Sequence, residues 1–472
     1  MSMQRLVIFH LNDLHGRVEQ LARAATVIER AREDLATPVL FFDAGDSEET
    51  SVRLSNLTKG VALHRLLSAA GCDAAAVGNA ALPRYGPAVL ADEAAVARYP
   101  LLLANVVLDD GEAILGTRPA ALLPVRDMRL GLIGVTVDDP GIYDGYFGLR
   151  SLPLLPTIRE LAAQLRQDGA QAIVLLSHLG LPADREAAGE LQGVVDLIVG
   201  GHTHDLLPEG ERVGTVAIAQ AGQYGEHLGR IELLWDGAGL HVERMGVLPL
   251  GPDIPPAPVV LEAIAAAEAD VGAFMDEVIG ELAAPLDFAE DRECGVGDLM
   301  ADVVRERMGA EVGVVVVGQA FTAGLPGGAL RRLALWEVCT SPANPALTTL
   351  TGEQLLALVR RGLDPDFARE RPRILREQPR GLMHLSGAEV RDGRLLVGGE
   401  PVDPARRYCV AATDFELERY GGYAPAEWGL EMRLDVPTIL REALEPYLAL
   451  YWPLTVPMGR IQGPLAPDEH AD

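Results

Sequence analysis

Residues 5–16 read RLVIFHLNDLHG, an apolar run that stops abruptly at Asn12-Asp13-Leu14-His15-Gly16. The pattern recurs. VLFF (39–42) leads into Asp43-Ala44-Gly45-Asp46, AAAV (74–77) into Gly78-Asn79, AIVLL (172–176) into Ser177-His178, and LIVGG (197–201) into His202-Thr203-His204. Short apolar runs without alternation suit parallel strands buried on both faces, and residues just past their C-terminal ends converge on one rim. That rim then carries two Asp, one Asn and four His: Asp13, His15, Asp46, Asn79, His178, His202 and His204. A lone strand-end Asp usually caps a helix, and a lone buried His usually completes a core hydrogen bond. Five such sites in succession point instead to a metal centre, with more ligands than one ion needs and enough for two ions sharing a carboxylate.

At 472 residues, 49% of them hydrophobic, the chain exceeds one ordinary core and predicts two domains. A net charge of −28, with Lys59 the single lysine, offers no basic patch for a nucleic-acid backbone. The cysteines, Cys72, Cys294, Cys339 and Cys409, are far apart and without a CxxC pair, so reduced thiols are expected. MSMQRLVIFHLND enters the first strand with no leader pattern, and no uncharged apolar stretch is long enough to span a bilayer. These features predict a cytoplasmic protein without a membrane partner; oligomeric state is not legible.

From residue 5 to about 205, strand-like runs alternate with amphipathic stretches at 18–33, 58–70, 86–97 and 155–168, the pattern of an α/β layered domain. TVAIAQA, HLGRIELLW and LHVERMGVL, between 213 and 248, read as antiparallel strands closing it. Gly251-Pro252-Asp253-Ile254-Pro255-Pro256-Ala257-Pro258 marks a boundary. The expected division is a domain at 1–250, a linker and connecting helix at 251–280, a second domain at 281–464 and a frayed tail at 465–472. Within the second domain, helices are expected at 296–308 and 352–361, and strands at 312–317, 382–397 and 407–413.

Asn-Asp-Leu-His-Gly, Asp-Ala-Gly-Asp, Gly-Asn, Ser-His-Leu-Gly and Gly-Gly-His-Thr-His, in this order, resemble the calcineurin-like metallophosphoesterases. More narrowly, the chain is similar to their 5′-nucleotidase/UDP-sugar hydrolase branch. Glu293-Cys294-Gly295-Val296-Gly297-Asp298-Leu299-Met300-Ala301-Asp302 resembles that branch's E-S-x-x-G-N-L-x-A-D segment, and Leu350-Thr351-Gly352-Glu353-Gln354-Leu355 and Leu385-Ser386-Gly387 match further landmarks. The resemblance implies a four-layer α-β-β-α sandwich followed by a smaller α+β 5′-nucleotidase-like domain. It also implies one ion on Asp13, His15 and His204, a second on Asn79, His178 and His202, and Asp46 bridging them. Oxygen and imidazole donors suit Mn²⁺, Zn²⁺ or Fe²⁺. Two such ions about 3.5–4 Å apart would activate a metal-bridging hydroxide and stabilise an in-line phosphoryl transition state. His10 and Asp43 read as supporting residues.

The chain departs from that family at informative places. After Gly78-Asn79 the family histidine is Ala80, and Pro83 replaces the acid that would orient it. Loss of a general acid costs about 10²–10⁴-fold in rate. Arg84 is the candidate substitute, able to pair with a phosphate, and Arg17 is a second candidate. In the second domain Val317-Gly318-Gln319-Ala320-Phe321-Thr322 lacks the family arginine, and Gly421-Gly422-Tyr423-Ala424 replaces Gly-Gly-Asp-Gly. Phe321 and Tyr423, with Phe415 and Tyr420, are candidates to stack a base, or else packing residues. Two readings follow. One is a dinuclear phosphoesterase acting on a small phosphorylated metabolite such as a nucleotide. The other is a metal-bearing binding or scaffold protein whose catalysis has weakened. Hydrolysis of a sulfur-bearing ester is a third, weaker reading.

Overall fold

The computed structural model describes residues 3–34, 36–237, 239–372, 379–418 and 421–466. Tyr420 and 467–472 of the expected tail lie outside these. The described chain forms two compact units, Met1–Val271 and Gly272–Asp472, and the helix Pro258–Asp276 runs across the division.

Two sheets build the first unit. Gln4–Leu11 is followed across one sheet by Val39–Asp43, Ala74–Ala76, Leu101–Leu102 and Thr117–Arg118, all parallel, while the hairpin His227–Trp235/Leu240–Pro249 adds antiparallel strands at its other edge. In the second sheet Met128–Thr136, Ala172–His178, Leu197–Gly200 and Val216–Ala219 run parallel between the antiparallel edges Ala120–Val125 and Glu211–Val213. Alternation places every second residue between the sheets: Leu6, Ile8, Leu40 and Phe42 meet Leu132, Val174, Leu176 and Val199 in one core. Ile133, Ile173, Leu175 and Ile198 face the other way, onto Ile158 and Leu165 of the helix Leu154–Gln167 and Ala188 of Leu181–Glu190. The helix Val18–Asp34 packs on the first sheet through Leu21, Ala25 and Ile28. The result is the expected four-layer α-β-β-α sandwich.

One strand differs from expectation. Val216–Ala219 was expected among antiparallel closing strands, but it pairs parallel with Leu197–Gly200 and antiparallel only with Glu211–Val213. All four of its residues are buried. An unbroken apolar strand requires cover on both faces, and inside the second sheet Ala217 and Ala219 meet the core between the sheets while Val216 and Ile218 meet the helix side.

The second unit has a five-stranded sheet, Met383–Ser386, Val312–Val316, Arg407–Thr413, Pro345–Thr351 and Arg433–Leu434 in that order, with only the Val312–Val316/Arg407–Thr413 pair parallel. Val315 and Val317 pack toward the helix Gly295–Met308, and Val312, Val314 and Val316 toward Gly352–Gly362. The Thr351–Leu355 landmark is a helix start: the Thr351 hydroxyl accepts the Gln354 N–H at 3.2 Å, and Gln354 Oε1 accepts the Thr351 N–H at 2.9 Å. The other landmarks are also structural. Asp302 accepts from Ser386 and takes the Arg460 guanidinium at 2.9 and 2.7 Å, while Glu293 receives the N–H groups of Gly459 and Arg460.

His384 is wholly buried in this unit; its Nε2 accepts the Cys294 N–H at 2.9 Å, and its Nδ1 lies 3.1 Å from the Leu382 carbonyl. Burial lowers it from 6.5 to about 4. The folded state therefore refuses a proton that the unfolded chain accepts, so stability is full above about 6.5 and falls as the pH drops toward 4. The melting temperature is expected to decline over that interval in thermal scans, and His384→Asn should flatten the decline while lowering the value at neutral pH. An unchanged slope in the variant would remove His384 from the acid response.

Candidate metal centre

The strand ends of both sheets bring all seven expected ligands together. Asp13, wholly buried, is the hub: its Oδ1 lies 3.8 Å from His15 Nε2, 3.9 Å from His178 Nε2 and 3.3 Å from His204 Nε2. The His202 N–H donates to both Asp13 oxygens, at 3.1 and 2.9 Å, and the Asn12 amide donates to Oδ2 at 2.7 Å. His15 and His204 bring their Nε2 atoms within 3.2 Å of each other. Asp46 Oδ2 lies 3.2 Å from His178 Nε2, and Asp46 Oδ1 accepts the Ala80 N–H at 2.8 Å. His202 completes the set, with its Nδ1 2.9 Å from Asn79 Oδ1 and its ring 5.3 Å from that of His178.

Two compact donor groups stand out, Asp13–His15–His204 and Asp13–Asp46–His178. Their common carboxylate is Asp13, whereas the family resemblance assigns the shared position to Asp46. Asp13 lies two residues past the end of Gln4–Leu11, and its Oδ1 faces imidazoles from both sheets; Asp46 also stands between His15 and His178, both of which favour its charged form.

These donors fit divalent ions. His178 Nδ1 lies 2.8 Å from the Ala44 carbonyl, which fixes it as an N–H side and turns the buried Nε2 inward, 3.2 Å from Asp46 Oδ2. Burial opposes charge on Asp46, but the His178 imidazole and the Ala80 N–H outweigh it and hold the carboxyl at about 2. Burial, then neighbouring His178, lowers His202 and favours the neutral ring a metal requires. For His178 itself burial is outweighed by Asp46 and Asp13, which push it up to about 9, so binding of an ion there would compete with a proton.

The backbone is strained at the same place. Asp13, His15, Asp46, His202 and His204 all have φ between 46° and 78°. Non-glycine residues reach the left-handed region at a cost, and such residues cluster at functional sites. Gly78 is required for another reason: a Cβ there would lie 2.0 Å from Asp46 Oδ1.

His10 and Asp43 stand outside both groups. His10 is buried over Gly229, where a Cβ would lie 2.0 Å from its Nε2, and burial lowers it to about 4. Asp43 accepts from Ser47 at 3.2 Å, and burial, reinforced by Glu48, raises it to about 8. Arg84 lies on the short helix Leu82–Tyr85, its guanidinium 5.0 Å from the Tyr85 ring centroid.

The base-stacking expectation needs correction. Phe321 is 1% and Tyr423 3% exposed. Phe321 belongs to the core beneath the helix Gly295–Met308, and Tyr423 is wedged among Phe367, Phe415 and Arg380. A ring enclosed in this way offers no face to a base, so in this structure both are packing residues. Phe415, 4% exposed, is packed as well.

A third buried cluster has no forewarning in the sequence. His64 Nε2 lies 2.6 Å from Glu48 Oε1 and 3.4 Å from Glu93 Oε2, and its Nδ1 lies 2.9 Å from the Tyr99 hydroxyl. Donor atoms sharing a tetrahedral ion with bonds of about 2.1 Å sit about 3.4 Å apart. At 2.6 Å the Glu48–His64 contact holds a proton. Burial disfavours the imidazolium, yet Glu93 and Glu48 outweigh it and raise His64 to about 9. The cluster is an ion pair that ties the Asp46 loop to the helices Val61–Ala69 and Val89–Val96. His64→Ala should cost about 3–5 kcal/mol by leaving buried carboxylates without a counter-charge, read as a lowered urea midpoint of the whole chain. Adding Glu48→Gln should recover part of the loss; an unmoved midpoint for His64→Ala would show that the pair is not charged.

Residues 278–427 match the family model described as the 5′-nucleotidase C-terminal domain. A Bacillus subtilis protein named uncharacterized metallophosphoesterase YunD is 27% identical over 432 residues, covering 87% of this chain and 92% of its own length. A 5′-nucleotidase of Diplobatis ommata is also 27% identical, over 64% of this chain and 59% of that protein. Among solved structures, a 5′-nucleotidase precursor of Thermus thermophilus superposes with a TM-score of 0.54 at 23% identity, covering 98% of this chain and 100% of that one. The NAD nucleotidase of Haemophilus influenzae gives 0.60 at 15% identity, covering 99% and 100%. Residues 278–427 thus form a 5′-nucleotidase C-terminal domain, and the chain as a whole is similar to metallophosphoesterases and 5′-nucleotidases.

Proposed function

We propose that the protein is a dinuclear-metal phosphoesterase that hydrolyses a phosphate ester of a small metabolite, a nucleotide being one candidate. The observation that carries this reading is Asp13 Oδ1, 3.3–3.9 Å from three imidazole nitrogens in a pocket of left-handed residues. Two divalent ions held there would supply Lewis acidity to a phosphoryl oxygen and lower the pKa of a water at neutral pH. Asp13, His15 and His204 form one binding group, and Asp46 and His178, with Asn79 and His202 beside them, form the other. Manganese, zinc and iron suit these donors equally well.

The chain's own residues set the limits on the chemistry. Residue 80 contributes its N–H to Asp46 and no imidazole, so it offers no proton to a departing alkoxide. Arg84 is the candidate to stand in, as a charge beside the leaving oxygen. A second reading, a metal-bearing binding protein with weakened catalysis, is favoured by Ala80 and by the burial of Phe321 and Tyr423.

Metal analysis of the purified protein should give two ions per chain. Asp13→Ala is expected to lose both and Asn79→Ala mainly one, with elemental analysis after dialysis as the readout. Retention of both ions by Asp13→Ala would contradict the shared-carboxylate geometry.

Esters with good leaving groups need little acid assistance. The metal-loaded protein is therefore expected to turn over p-nitrophenyl phosphate and to act weakly on AMP. Ala80→His, combined with Pro83→Asp to orient the ring, should raise the AMP rate more than the p-nitrophenyl phosphate rate, by up to about 10²-fold. Fast AMP hydrolysis by the unaltered protein, insensitive to Arg84→Ala, would reveal another proton donor. No turnover of either ester with both ions bound would favour the binding-protein reading.

A further inference from the structure

The turn after Val216–Ala219 carries no ligand motif, yet it is bolted to the metal-bearing loop. Asn12 accepts the Ala221 N–H at 2.9 Å and donates to the Gly222 carbonyl at 2.5 Å; Gln20 donates to the Gly225 carbonyl at 3.0 Å. Tyr224, between them, gives its N–H to the Asp13 carbonyl at 2.7 Å and adopts φ 57°, the same left-handed conformation as five of the metal-centre residues. Its ring stands edge-on to His15, with centroids 5.8 Å apart, and lies 6.3 Å from His204. Both imidazoles belong to one donor group.

Arg17, two residues after His15, lays its guanidinium 4.9 Å from the Tyr224 ring centroid. It is exposed, and among the described residues its side chain forms no ion pair and no hydrogen bond. That is unusual in a chain of net charge −28 whose arginines so often pair with carboxylates, as Arg32, Arg166, Arg185 and Arg460 do. A cation on an aromatic face keeps its N–H edges available, and a guanidinium presents paired donors that match phosphate oxygens.

We infer that Arg17, seated on Tyr224, is the anion-binding residue of this rim and takes phosphate oxygens of the substrate. It replaces some of the positive hydrogen-bonding surface that Ala80 cannot supply. The inference rests on the phosphoesterase reading for its substrate, but phosphate binding can be measured without turnover. The phosphate group engaged is either the reacting one or a second one next to it, and the two differ in which substrates are affected.

The experiment is calorimetric titration of inorganic phosphate into the metal-loaded full chain, with steady-state kinetics beside it. Arg17→Gln should keep the wild-type metal content and weaken phosphate binding about tenfold or more. Arg17→Lys should restore part of the loss, and Tyr224→Leu should weaken binding as well. Arg5→Gln, at the opposite end of the first strand, controls for loss of one charge and should leave the affinity unchanged. If the reacting phosphate is engaged, Arg17→Gln raises KM for p-nitrophenyl phosphate and ADP alike, with kcat less affected. If a second phosphate is engaged, KM rises for ADP alone, and the weakened binding is then of phosphate at that outer position. Wild-type phosphate affinity and KM in Arg17→Gln, in a protein that turns over esters, would overturn this inference and leave the phosphoesterase reading standing. A wild-type protein with both ions bound that neither turns over esters nor binds phosphate would overturn both.

Discussion

Burying the Asp13 carboxylate is the constraint on which the rest of the first unit depends. An ionised carboxylate removed from water costs several kcal/mol unless charge and hydrogen bonds replace its hydration. Here the replacements are the His202 N–H, the Asn12 amide and three imidazole nitrogens 3.3–3.9 Å away. Neutral imidazoles turn lone pairs toward the carboxylate, which is favourable only with protons or cations between them. A divalent ion in each donor group would resolve that conflict without adding protons, so the donor chemistry and the burial call for the same solution.

The sheets supply the rigidity that holds this arrangement. Five apolar strands end at one rim, and the backbone turns left-handed there at Asp13, His15, Asp46, His202 and His204. Such conformations persist where surrounding structure over-determines them. The interior between the sheets does so from below; above, close glycine contacts leave no slack, since a Cβ on Gly45 would lie 2.7 Å from His178 Nδ1. The Glu48–His64–Glu93 cluster fastens the Asp46 loop from a third side, and Glu48 also reaches His15, whose Nδ1 lies 3.3 Å from its carbonyl. Second partners of this kind fix which ring nitrogen would face an ion.

What was legible in the sequence is what is local. Apolar runs ending in Asp, Asn or His announced the parallel strands and their cargo together, and the helical pattern at 352–361 announced the helix Gly352–Gly362. What was illegible depends on partners far along the chain. His64 reads as an ordinary helix residue until Glu48 and Glu93 fold onto it. The pairing of Val216–Ala219 was missed because its short apolar run fits either orientation. Tyr224 drew no notice because its significance lies in backbone bonds to residues 12 and 13. Phe321 and Tyr423 show the opposite error: aromatic residues at family positions suggested a platform, whereas hydrophobic burial enclosed them in the core.

Electron paramagnetic resonance of the Mn²⁺-loaded protein tests the shared-carboxylate centre most directly. Two ions whose donor groups have Asp13 in common lie close enough for their spins to couple. At two equivalents of Mn²⁺ per chain the spectrum should be that of an exchange-coupled pair, and Asp13→Ala should abolish the coupling. A simple six-line spectrum from isolated ions at the same loading would contradict a dinuclear centre built on Asp13.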